Sequence, residues 1–208
     1  MSARWLLGQF RGVWLAVCVC LALPMSPSAQ AEIRRIEVWT DQAPTALWKR
    51  ASPFQHRYTL ETELGDSVRM VKVEQGEDTP REKLRIRFQY QTSLALGDEG
   101  PHLDLLDWKH CTTAWQSIAD PGDGHFNIPP PTTRQASCFP SFGQAELLAA
   151  VRAHGGEGKW ITLAKDVSRA GQGASYVAPS LLRMQVQRWD GAAWVVDLEF
   201  DVPIAMGC

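Results

Sequence analysis

From Leu84 to Tyr90 apolar and polar residues alternate without a break, with Leu84, Ile86, Phe88 and Tyr90 on one side and Arg85, Arg87 and Gln89 on the other. Successive side chains of a strand leave opposite faces, so a period of two predicts a strand half-buried against a core. A similar pattern starts at Arg57, where Tyr58, Leu60, Thr62 and Leu64 share a face. Gly65-Asp66 then marks a turn into a second strand over Ser67 to Glu74, and the polar stretch Gln75 to Pro80 separates it from the run at Leu84. Ile33 to Trp39 has strand composition, while Thr40-Asp41 followed by Pro44 resembles the start of a short helix that Pro53 closes.

The end of the chain repeats the style. Leu182 to Trp189 and Trp194 to Phe200 flank Asp190-Gly191-Ala192-Ala193, and Asp-Gly between two alternating runs predicts a β-hairpin. A four-residue loop sets Trp189 opposite Trp194 and turns Trp194, Val196, Leu198 and Phe200 toward the core. Leu84 to Gln89 and Leu182 to Gln187 look alike, but two half-buried strands converge on such a pattern readily, so no duplication is inferred.

One helix stands out, over about residues 142–154. Ser141 with Gln144 three residues on has the form of a capping box, Leu147, Leu148 and Val151 make an apolar stripe, and Gly155-Gly156 ends it. His154 falls in the last turn, where the helix dipole favours a cation. Many strands with one marked helix predict an α+β domain built on mainly antiparallel sheet; a β-sandwich carrying a helical insertion is the alternative.

The first residues follow a different logic. Arg4 and Arg11 precede an apolar run from Val13 to Leu23, and Ala29-Gln30-Ala31 offers small residues for cleavage before Glu32, the pattern of an export signal over 1–31. The apolar run is too short for a membrane span, which needs roughly 20 residues. Cys18 and Cys20 each follow a valine rather than a small residue, which argues against lipidation, and no Arg-Arg pair precedes the run. The remaining 32–208, about 177 residues, fits a single domain, exported to the periplasm or secreted. The chain carries 21 Lys and Arg against 23 Asp and Glu. Losing Arg4 and Arg11 leaves a mixed, mildly acidic surface of about −4, without the basic stripe that nucleic-acid binding requires.

Export changes how the cysteines read. Cys111, Cys138 and Cys208 remain, and an oxidising compartment drives two of them to pair. Cys111 with Cys138 is the favoured bridge, closing a loop of about 26 residues worth roughly 3 to 4 kcal/mol, and Cys208 is left over. That loop holds the most irregular part of the chain, about 119–140, in which Asp120 to Cys138 reads DPGDGHFNIPPPTTRQASC. Long structureless loops in compact domains are commonly functional, and here His125, Phe126 and Arg134 are the side chains suited to contact a partner.

Chemistry-bearing motifs are weak. His102, Asp104, Asp107, His110 and Cys111 crowd one segment, yet no regular structure aligns them all and their spacing matches no zinc signature. Asp120, Asp123 and Asn127 lack the alternation and distal Glu of a calcium loop. Gly171-Gln172-Gly173-Ala174-Ser175 is neither a nucleophile elbow nor a phosphate loop, and His110 beside Cys111 is a neighbour pair rather than a catalytic dyad. No metal or cofactor is expected. Among the tryptophans, Trp108 and Trp115 flank Cys111 beside the loop and are the best candidates for surface contacts, whereas most of the others should be core. The pattern favours a non-enzymatic binding protein, an inhibitor or immunity-type factor that meets a protein partner in the envelope through Trp108, His110, Trp115, His125, Phe126 and Arg134. A small exported hydrolase using His102, Asp104, Asp107, His110 or His125 is the alternative.

Overall fold

The strand that begins at Leu84 runs further than its alternation. In the computed structural model, which describes residues 33–41, 43–50, 56–63, 67–76, 83–97 and 100–206, strand β5 spans Leu84–Gly97. It pairs along its length with β10, Ser175–Trp189, which forms the expected hairpin with β11, Trp194–Pro203. The two look-alike segments therefore lie side by side, antiparallel, with Ile86 opposite Val186 and Phe88 opposite Met184. Strand β3, Arg57–Thr59, adds to β11 in parallel, and the far edge of β5 takes β8 (Gln116–Ala119), β7 (Cys111–Thr112) and β6 (His102–Leu105) in turn. A second sheet, in the order β2-β1-β4-β9, is antiparallel throughout and joins β1 (Ile33–Trp39), β2 (Pro44–Lys49), β4 (Met70–Gln75) and β9 (His125–Asn127).

The sheets face each other across one core. Ile36, Val38, Val71, Val73 and Phe126 of the smaller sheet meet Ile86, Phe88, Met184 and Phe200 of the larger, and Trp48 packs edge-on against both Tyr58 and Phe200. Strands β5 and β10 outrun the smaller sheet, and helices cover their far ends. Helix α1 (Thr133–Ala136) lies beside the bridge, while α2 (Gln144–Ala153) and α3 (Lys159–Lys165) lay Leu147, Ala150, Val151 and Ala164 on Leu94, Leu96 and Leu105. The chain is α+β, with antiparallel and mixed sheets, and the same architecture contains the sandwich and helical layer of the alternative reading. Among the described residues no helix is long and apolar enough to cross a membrane.

The chain divides into Met1–Gln30 and Ala31–Cys208, and every described residue lies in the second unit. The proposed leader and Cys208 are outside the described residues, as are Pro53, Leu64 and Gly65-Asp66.

Several local expectations are corrected. Pro44 opens a strand, not a helix: Ala46 and Trp48 alternate inward with Leu47 outward, and β2 is an edge strand, where a proline start costs no ladder hydrogen bond. The strand from Arg57 is regular only to Thr59, although Leu60 stays buried and Leu60 N still bonds Asp201 O at 2.9 Å. In the C-terminal hairpin a bulge at Asp197 shifts the register, setting Val196 opposite Gln187 and Leu198 opposite Val186. That extra residue moves Trp194 and Val196 to the open face while Leu198, Phe200 and Val202 remain in the core, because a one-residue slip reverses side-chain direction. The turn itself is as expected: Asp190 Oδ1 accepts from Ala192 N at 2.8 Å and Ala193 N at 2.7 Å, and Gly191 takes φ 102°.

The segment expected as a structureless loop over about 119–140 is largely built. Its middle forms β9 on the edge of β4, Phe126 and Ile128 are buried, and α1 follows with Thr132 as its cap. Asp120 and Asp123 are spent on turns, accepting from Gly122 N and Gly124 N and from His125 N respectively. Helix α2 is capped by Gly143 rather than Ser141, with the Glu146 carboxylate accepting from Gly143 N at 2.8 Å.

Its C-terminus follows a Schellman pattern: Gly156 N bonds Val151 O at 2.8 Å, Gly155 N bonds Arg152 O at 3.1 Å, and Gly155 has φ 74°. A Cβ on Gly156 would come within 2.6 Å of Leu103 Cδ2, 2.7 Å of Val151 Cγ1 and 2.9 Å of Val151 O. Gly156→Ala is expected to cost about 1 to 3 kcal/mol by overpacking, measurable as a lower urea midpoint at unchanged m-value; an unchanged midpoint would contradict this packing.

Candidate functional site

The residues singled out in the sequence do not converge. His102 Nδ1 and Asp104 Oδ1 lie 2.7 Å apart on β6, and the imidazole packs edge-on against Tyr176. Asp107 and His110 are exposed, and Cys111 is bonded to Cys138 across a Cα separation of 5.8 Å. Among the described residues no group of three or more His, Cys, Asp and Glu is placed to hold a metal ion. Ser175 Oγ is tied into its own turn through Gln172 O at 2.7 Å.

Trp108 is half-buried in an aromatic cluster with Phe139 and Phe142, and Lys109, which bonds Glu146 and Ser141 O, passes over its ring. It clamps the helical layer to the sheet edge. Phe126 is fully buried between β4 and the larger sheet and cannot serve as a contact. His125 is held by its own turn at Asp123, and Arg134 is exposed on α1. Trp115 alone joins a larger constellation.

That constellation is the outward face of the large sheet. Core packing takes the even-numbered side chains of β5 and leaves Arg85, Arg87, Gln89 and Gln91 half-buried on the other side. Register places Arg183, Gln185 and Gln187 of β10 beside them, and Val196, Glu199 and Asp201 of β11 beyond. At one end the charges are matched. Asp201 accepts from Arg183 Nε at 2.8 Å and Arg57 Nη2 at 2.5 Å, and Glu199 faces Arg57 and Gln185. Burial pushes the Asp201 carboxyl up, but the hydrogen bonds and charges of Arg183 and Arg57 outweigh it and hold the group below the usual carboxylate range.

The other end is unmatched. Arg85 lies over the Trp194 ring, 4.2 Å from its centroid, and donates from Nε to Gln187 Oε1 at 2.7 Å. Arg87 lies 5.2 Å from the centroid of Trp115. Among the described residues neither guanidinium has a carboxylate partner. Desolvation first, and then the charge of Arg87, holds the Arg85 guanidinium below its usual value. Trp189 extends the row, its ring 5.5 Å from that of Trp194 and its side chain open to solvent at the hairpin tip. Trp115, Arg87, Arg85, Trp194 and Trp189 thus form a continuous strip, two arginines flanked by indoles.

Arg85 and Arg87 were legible as outward-facing residues, but their partners were not. Trp194 comes to this face only through the bulge at Asp197, and Trp115 only through the pairing of β8 with β5, which sets Ser117 opposite Arg87. No family model matches the chain, no curated protein is similar to it in sequence, and no solved structure is similar to it in fold.

Proposed function

We propose that the protein is an exported, periplasmic binding protein of 32–208 without a catalytic role, an inhibitor or immunity-type factor that engages a protein partner in the cell envelope. The observation that carries the reading is the strip from Trp115 through Arg87 and Arg85 to Trp194 and Trp189. Tryptophan and arginine dominate the energetics of protein interfaces, because each brings large contact area and directional hydrogen bonding at modest entropic cost. Here the arginines stand on β5, with Trp189 and Trp194 on the paired strands β10 and β11, a framework that loses little freedom on binding. The Cys111–Cys138 bridge and the leader-like 1–31 support an oxidising compartment. His110 and Arg134, exposed on the two segments that the bridge joins, are secondary contact candidates.

Affinity capture from an envelope extract, followed by a binding isotherm with the identified partner, tests the reading. Trp194→Ala combined with Trp115→Ala is expected to weaken the complex by about 30-fold or more, as loss of an aromatic interface anchor does. Equal affinity of variant and wild type would contradict it. The His102–Asp104 pair favours a second reading, a small hydrolase. Turnover of an envelope substrate by purified protein, abolished in His102→Ala, would replace the first reading by the second.

A further inference from the structure

An arginine pair without carboxylate partners among the described residues is out of character for this face. Elsewhere on it Arg183 of β10 is paired with Asp201, and Arg57 of β3 with Asp201 and Glu199, both acids standing on β11. Arg85 and Arg87 instead sit two residues apart on one strand with side chains on the same face, about 6.6 Å apart along the backbone. Each guanidinium carbon lies over an indole, 4.2 Å and 5.2 Å from the ring centroid, a cation–π contact that uses none of its N–H donors in a hydrogen bond to an acceptor. Arg85 gives Nε to Gln187 and keeps both Nη groups, while Arg87 has no hydrogen bond to a described residue. Like charges at this spacing repel, and an anion placed over both relieves that repulsion.

Resting on the binding reading above, we propose that Arg85 and Arg87 receive two carboxylates from an extended acidic segment of the protein partner, with Trp115 and Trp194 flanking the seat. The spacing favours this occupant. Acidic residues at alternate positions of an extended chain lie about 6.6 Å apart on one side, the same separation as the two arginines. The forked donor edge of a guanidinium matches a carboxylate with two parallel hydrogen bonds. The Gln89 amide, on the same face two residues from Arg87, lies beside the seat to order a polar backbone.

The test uses the disulfide-bonded protein and a synthetic extended peptide with Glu at every second central position, measured by calorimetry beside the same peptide with Gln and beside a sulfated oligosaccharide. The Glu peptide is expected to bind, weakening as salt is raised. Arg85→Gln and Arg87→Gln should each lose about tenfold or more, Arg87→Lys should lose part of that by keeping charge without the fork, and Arg152→Gln on the exposed side of α2 should leave affinity unchanged. Thermal melts of each variant separate lost binding from lost folding. Equal binding of the Glu and Gln peptides, unchanged affinity in both arginine variants, or preference for the sulfated sugar would each overturn the proposal. If the arginine variants still hold the captured partner while the tryptophan variant releases it, the carboxylate seat fails and the protein-binding reading stands. If wild type binds neither peptide nor partner, both fail.

Discussion

Phe126→Ala is expected to destabilise the protein by about 3 to 5 kcal/mol, the range for truncating a buried aromatic side chain. The ring sits opposite Val71 in the pairing of β9 with β4, fully buried within the core shared by the two sheets. Removing it forfeits the transfer energy of the ring and leaves a void that neighbours on two rigid sheets fill only in part. At roughly 2 to 4 °C per kcal/mol for a domain of this size, the melting temperature should fall by about 6 to 20 °C. Phe126→Leu keeps most of the volume and should cost less than about 1.5 kcal/mol, while exposed neighbours such as Arg134 should tolerate alanine within about 0.5 kcal/mol. Urea denaturation of the three variants gives the comparison directly. A cost below about 1 kcal/mol for Phe126→Ala would mean that the ring is not packed in a core and would restore the reading of this segment as a presented loop.

Phe126 also shows where sequence reading reaches its limit. Its segment carries a short alternation, His125-Phe126-Asn127-Ile128, enclosed by Gly, Asp and Pro on both sides. Three residues of strand have no local signal strong enough to outweigh that composition; they become a strand because β4 offers an open edge. Leu84 to Tyr90, by contrast, was legible because one face is buried and the other is not. The same strand lost its signal beyond Tyr90, where Ser93 and Ala95 are buried as completely as Leu94 and Leu96 and two-sided burial erases the period of two. Asp190-Gly191 identified the hairpin through turn geometry, a local property, but nothing local announced the bulge at Asp197 that reverses Trp194. The candidate site suffered most from this. Its arginines follow from one strand's alternation, whereas Trp115 arrives on the segment entering β8 and Trp194 on β11, and register between distant strands is a property of the assembled sheet.

The second large effect concerns the bridge. Replacing both Cys111 and Cys138 by serine is expected to lower stability by about 3 to 4 kcal/mol, because the two residues are separated by 27 in sequence and the cross-link removes that loop's freedom from the unfolded chain. What it closes is not a slack loop. Cys111 lies in β7 against Thr92 of β5, and the chain between the cysteines supplies β8 to the large sheet and β9 to the small one before returning through α1. Thr92 Oγ1 donates to Cys138 O at 2.6 Å, and Tyr90 Oη donates to Pro129 O at 3.1 Å, so the returning segment is bonded to the middle of β5 where the two cores meet. These bonds hold the folded geometry without the bridge, which places most of the loss in the unfolded state and predicts an intact fold at reduced stability. The melting temperature should fall by roughly 6 to 16 °C, reductant should lower wild type by the same amount, and the double serine variant should not respond to reductant at all. Because β8, whose pairing with β5 brings Trp115 to Arg87, is held by its own ladder, that contact should survive in the folded serine variant. The serine variant is therefore expected to keep its partner affinity for as long as it stays folded. Equal stability of wild type with and without reductant would show that the bridge contributes nothing to the fold, and a loss of affinity in the folded serine variant would show that the bridge, not the ladder, positions β8.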